Sequence, residues 1–127
     1  MSSAVWVALG GALGSLARYF ATIAVTAILG SEFPWGTVVV NITGCALIGA
    51  LVGAGALMAK VASDSVVRDF LIVGLCGGYT TFSSFSLQTL TLLQAGQSAR
   101  AMANVIASVV LCLLATWAGY TLARAVA

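Results

Sequence analysis

The chain has 127 residues, of which 61% are hydrophobic and only 6% charged, where a soluble domain carries roughly 25% charge. A soluble globular fold is excluded, and so is a disordered chain, which would be apolar-poor and charge-rich. The mean hydropathy of +1.13 is that of a membrane-embedded protein. Five basic and three acidic residues, with no His, are too sparse for a nucleic-acid-binding surface and offer no zinc or haem spacing.

A helix needs about 20 mostly apolar residues to cross a bilayer. The polar and turn-forming stretches therefore divide the chain into four predicted spans, at about 4–29, 36–59, 69–93 and 100–123. The first span is not a signal peptide, because no Lys or Arg precedes it and it runs past the length of an h-region. Its Gly10-xxx-Gly14 stretch, like Gly49-xxx-Gly53 in the second span, lets helix backbones approach closely. The first break, Gly30 to Pro34, holds the only proline; the second, Lys60 to Asp69, holds half of all charges; the third, Gln94 to Ser98, is a polar turn. All three acids, Glu32, Asp64 and Asp69, fall in these connections. Trp6, Trp35, Trp117 and Tyr120 lie near span ends, where amphipathic rings anchor a helix at the interface.

Four spans put both termini on one side, with Lys60, Arg68 and Arg124, and Arg100 on the other. So small an excess of positive charge is a weak instruction for orientation and permits insertion both ways. Four helices whose side chains fill their own centre leave no aqueous lumen, so transport demands at least a dimer. Cys45, Cys76 and Cys112 sit far apart in apolar runs and read as small buried side chains with no disulfide framework.

In hydrocarbon each polar group costs free energy unless it has a partner or a function. Arg18 is the one charge no loop explains; it snorkels, ties helix-end carbonyls or serves the ion path. Asn41, several residues into the second span, must bond either a neighbouring helix or a permeating ion. The third span is densest, with adjacent Gly77 and Gly78 weakening the helix just before Tyr79-Thr80-Thr81-Phe82-Ser83-Ser84-Phe85-Ser86. A helix broken there is tolerated only inside protein or beside a cavity, and its freed carbonyls could hold a cation. Back-bonding to the preceding turn absorbs two or three of the hydroxyls, not all of them. Phe82 and Phe85, three apart, share a face. In the fourth span Asn104, Ser108, Cys112 and Thr116 recur every four residues, but the drift of about 40° per step leaves only Asn104 and Ser108 as a credible stripe.

The missing residue types set the sign of the ion. Cation paths are marked by Asp or Glu, and no predicted span holds either beyond Asp69 at the edge of the third. Amide and hydroxyl donors, a guanidinium and electropositive ring edges suit a small anion. No nucleophile has a base beside it, and nothing supports an enzyme.

These residues resemble the CrcB/Fluc family of fluoride channels over nearly the whole chain: Gly10 to Gly14 with Arg18-Tyr19, Trp35-Gly36-Thr37 to Asn41-xx-Gly44, and above all Gly77-Gly78-Tyr79-Thr80-Thr81-Phe82-Ser83-Ser84-Phe85. The resemblance implies a single all-α membrane domain over residues 1–127, with four transmembrane helices, the third broken mid-membrane, assembled as an antiparallel dual-topology homodimer in a bacterial inner membrane. It implies passive export of fluoride, with Asn41, Phe82, Ser83, Ser84, Phe85, Asn104 and Ser108 along the pathway and Arg18 in a structural or vestibule role. It also implies a structural sodium ion held by the backbone carbonyls of Gly77 and Thr80 from both subunits. Ser84 stands where the family often has Thr, and Ala46 where it frequently has Phe, which predicts looser packing there. The alternative, a proton-coupled exporter of the small multidrug resistance type, requires a Glu in the first span, and this chain has none there.

Overall fold

The computed structural model describes residues 2–55, 59 and 64–127, and every regular element among them is helical. Helix α1 (Ser3–Leu29) stops at Gly30, whose φ of 85° lies in the left-handed region where a Cβ is penalised. Pro34 then precedes α2 (Trp35–Gly53), at a position where a helix has no partner for the N–H that proline lacks. The predicted extension of this span toward 59, and Lys60, lie largely outside the described residues.

Residues 65–79, here α3, start with Ser65–Val67 behind Asp64, whose Oδ1 accepts the Val66 N–H at 2.9 Å. They continue as a π-wound stretch, Arg68–Cys76, and close with Gly77–Tyr79. Thr80 (φ −80°, ψ 157°) and Thr81 (φ −152°, ψ 117°) are extended, and helix resumes as α4 (Phe82–Gln94). Gly96, at φ 73°, closes α4 with its N–H on the Leu93 carbonyl and that of Gln97 on Leu92, after which α5 (Ser98–Val126) runs to the C-terminus. Four stretches are long and apolar enough to cross a membrane: Ser3–Leu29, Trp35–Gly53, Ser65–Gln94 and Ser98–Val126.

Two sequence expectations need correction here. The glycine pair does not carry the interruption: Gly77 is helical (φ −63°, ψ −38°), and the extended residues are the two threonines that follow. Asp69 is not in a connection but inside α3, where it is buried and its partner is Arg68 at 3.3 Å.

Glycines set the packing. On α1, a Cβ at Gly14 would lie 2.8 Å from the Tyr79 nitrogen; on α3, one at Gly74 would lie 2.9 Å from the Gly10 Cα, and one at Gly78 2.5 Å from the Gly11 carbonyl oxygen. Gly10 and Gly14 thus interlock with Gly74 and Gly78, two small-xxx-small faces in parallel register. The close approach expected of these motifs occurs within one chain. Helices α2 and α5 make the same kind of pair, with Gly49 against the Thr116 backbone and Gly53 against Tyr120. The Ala46 backbone packs on Gly119, where a Cβ would come within 3.1 Å of the Ala46 carbonyl carbon.

Burial is inverted relative to a water-soluble protein. Among the described residues the buried polar side chains are Thr37, Asn41, Asp69, Thr81, Asn104 and Ser108, while Phe20, Ile28, Phe82, Leu113, Trp117 and Leu122 are all at least 64% exposed. That arrangement is stable only where the surroundings are as apolar as the surface. At one end Arg100 pairs with Glu32 at 3.1 Å, tying the turn after α1 to the start of α5.

Candidate functional site

The interruption between α3 and α4 is held by side chains from two other helices. An extended residue at the end of a helix leaves its backbone groups without helical partners. Asn41 on α2 supplies both partners for Thr81: its Nδ2 donates to the Thr81 carbonyl at 2.9 Å, and its Oδ1 accepts the Thr81 N–H at 2.8 Å. Of the two readings for Asn41, the neighbouring backbone therefore takes its oxygen and one N–H, and one N–H is left for something else. Arg18 on α1 donates from Nη1 to the Thr80 carbonyl at 3.2 Å, which is the tie to a helix-end carbonyl.

Thr81 also caps α4. Its Oγ1 accepts the Ser84 N–H at 3.2 Å and lies 3.2 Å from Ser83 Oγ and 3.1 Å from Ser84 Oγ, so three hydroxyls meet at the helix start. Ser86 falls to back-bonding, donating to the Phe82 carbonyl at 3.0 Å. Phe82 and Phe85 are in contact, with ring centroids 5.2 Å apart and planes at 54°. Their surroundings differ: Phe85 is buried at 8% exposure, whereas Phe82 projects from the chain at 76%.

Asn104 and Ser108 are both buried and bonded as expected of neighbours, with Ser108 Oγ donating to Asn104 Oδ1 at 3.4 Å. Asn104 Nδ2 reaches across to Thr89 Oγ1 on α4 at 2.9 Å. Cys112 follows Ser108 along the wall of a common cavity. The Thr116 hydroxyl instead donates to the Cys112 carbonyl at 3.0 Å, and only the Thr116 backbone meets Gly49.

A cavity of about 460 Å³ opens between α2, the α3–α4 junction and α5. Asn41, Gly77, Thr80, Thr81, Phe82, Phe85 and Ser108 line it, together with Cys45, Cys76 and Cys112. Ser83, Ser84, Asn104 and Arg18 stand behind or beside this wall rather than in it. No carboxylate lines the cavity, and no group of three His, Cys, Asp or Glu capable of holding a metal occurs among the described residues.

Thr89 and Gln88 escaped the sequence reading, and Thr81 entered it only as one of a hydroxyl cluster. Thr81 was legible as a Thr-x-x-Ser cap before an apolar run, and Thr89 was not, since only the fold brings it to Asn104. Gln88, three residues beyond Phe85, has an Oε1 that is buried with no hydrogen-bond partner among the described residues. A polar side chain inside a span was its signal.

Residues 5–120 match the family described as CrcB-like protein, Camphor Resistance (CrcB). A protein of Rhodospirillum rubrum named fluoride-specific ion channel FluC is 51% identical over 91% of this chain and 90% of its own length. Proteins of the same name from Methylocella silvestris and Opitutus terrae are 45% and 47% identical, over 96% and 94% of this chain and 93% and 91% of their own.

Proposed function

The chain belongs to the CrcB-like family, and from that premise we propose how its own residues carry fluoride. It is a multi-pass bacterial membrane protein and a fluoride-specific channel; the small multidrug resistance reading falls, because α1 holds no acidic residue and the relatives are fluoride channels. One observation supports the pathway above others: the cavity brings Asn41, Thr81, Ser108 and the Phe82–Phe85 pair together without a single carboxylate.

Fluoride is compact and strongly hydrated, so a path for it must replace water with close donors and exclude larger anions at a dry constriction. The unused N–H of Asn41 and the ring edges of Phe82 and Phe85 are such groups, positive where they face the cavity. The hydroxyls of Thr81, Ser83, Ser84 and Ser108 turn from their resting partners to donate to a passing ion, and Asn104 holds Ser108 in place between ions. Arg18 fixes Thr80 and adds positive charge beside the junction.

The exposed Phe82 and the exposed apolar faces of α1 and α4 suit a second copy of the chain, inserted the opposite way, so that each pathway is completed by its partner. The interruption at Thr80–Thr81 then lies at mid-membrane. A structural sodium ion at the two-fold axis fits the oxygens present. The Thr81 N–H that would bond the Gly77 carbonyl in a continuous helix is committed to Asn41, and the Thr80 carbonyl keeps one lone pair beyond that given to Arg18. When bound, the ion would supply positive charge that offsets the self-energy of a passing anion. Gly77 and Thr80 of each copy would hold it through neutral oxygens, which suit a hard alkali ion.

The test is fluoride efflux from liposomes that contain only this protein. Collapse of a fluoride gradient without a proton gradient, with chloride retained, is the expected result. Chloride efflux at a comparable rate would refute the reading.

A further inference from the structure

We propose that Cys45 and Cys112 form a two-thiol site for a soft, closed-shell metal ion of the mercuric class, set in the wall of the cavity beside the aromatic pair. Helices α2 and α5 run parallel in fixed register, and the contact of Gly49 with Thr116 places Cys45 and Cys112, each four residues earlier, opposite one another one turn up. Both thiols are half-buried rather than sealed. Both line the same cavity of about 460 Å³, so an ion reaches them without opening the fold. Cys76 lines that cavity from α3 but is buried at 2% exposure and stands on another wall.

Thiolates select soft ions by ligand type, and such ions are satisfied by as few as two sulfurs, the number that the two helices bring to this wall. Binding Hg2+ breaks two S–H bonds, forms two S–Hg bonds and releases two protons to solvent, with no change of oxidation state. Hard alkali and alkaline-earth ions are excluded by the same chemistry. An ion seated there fills space next to Phe82 and Phe85, so it stops conduction; this consequence rests on the channel reading above.

Mercuric chloride is titrated into the purified full-length protein in detergent. Metal retained through gel filtration against an excess of a competing monothiol, which strips mercury from a single thiolate, is measured with the ultraviolet thiolate–mercury band. About one equivalent per chain is expected for the wild type and for Cys76→Ala, falling at least tenfold in Cys45→Ala and in Cys112→Ala. Equal retention in those two variants overturns the site. Should either variant fail to fold, maleimide labelling of the wild type read by mass spectrometry decides: Hg2+ protects Cys45 and Cys112 together, and protection of one alone overturns it. In liposomes, fluoride efflux falls at least tenfold with bound Hg2+ and recovers on adding a dithiol. Unchanged efflux with the metal bound overturns the block. Protein that retains one Hg2+ yet conducts no fluoride before its addition supports the site and refutes the channel reading.

Discussion

At the scale of single residues, the side chain on which most depends is Asn41. It satisfies two backbone groups of Thr81 in a buried setting, and each orphaned group costs about 1 to 3 kcal/mol. Asn41→Ala therefore lowers the unfolding free energy of the detergent-solubilised protein by about 2 kcal/mol or more and abolishes efflux; an unchanged unfolding midpoint would show that water replaces the amide. The two phenylalanines separate in the same pair of assays. Phe85 is buried, so Phe85→Ala costs about 3 to 5 kcal/mol. Phe82→Ile leaves the single chain's stability within about 0.5 kcal/mol, because the ring is 76% exposed, while efflux drops at least tenfold for want of a ring quadrupole. Normal flux in Phe82→Ile would reduce that ring to a packing surface.

At the scale of elements, neighbouring glycines do different work. Gly77 has no backbone closer than 3.9 Å to a would-be Cβ and a helical φ, so Gly77→Ala folds normally and gains up to about 1 kcal/mol of helix stability. Gly78→Ala collides with Gly11 on α1 and sharply lowers the yield of folded protein in size-exclusion chromatography. The reverse ranking would restore the glycine pair as the weak point of α3. Composition and length made the four spans legible, and the donor types made the anion preference legible. The interruption was legible as an event but displaced by three residues. Glycine signals both a weak helix and a close helix contact, and only the contact partner, Gly11, tells which applies. The contact of the Thr116 backbone with Gly49 was hidden for a related reason: the residue pattern of one helix does not say which helix it meets. The π-wound turn of α3 left no mark in the residue pattern.

For the whole molecule, orientation rests on few charges. Arg100 is paired with Glu32 and Arg68 with Asp69, and the small excess of positive charge left on one side is a weak instruction for direction. Tag-accessibility labelling in cells finds the C-terminus on both sides of the membrane; one side only would refute dual topology. Two extra Lys in the turn at residues 95–97 drive most chains into one orientation and suppress fluoride efflux, and co-expression with a chain biased the opposite way restores it.

The parallel pairing of α1 with α3 and of α2 with α5 has an electrical consequence. Spans alternate in direction, so the two pairs oppose each other, and the aligned peptide dipoles of one, roughly half a charge at each helix end, cancel those of the other. The bundle as a whole brings almost no net moment to the membrane field, and its backbone has no preference for which face meets the cytoplasm. A molecule that is electrically indifferent to being turned over leaves its direction to a handful of guanidinium and ammonium groups.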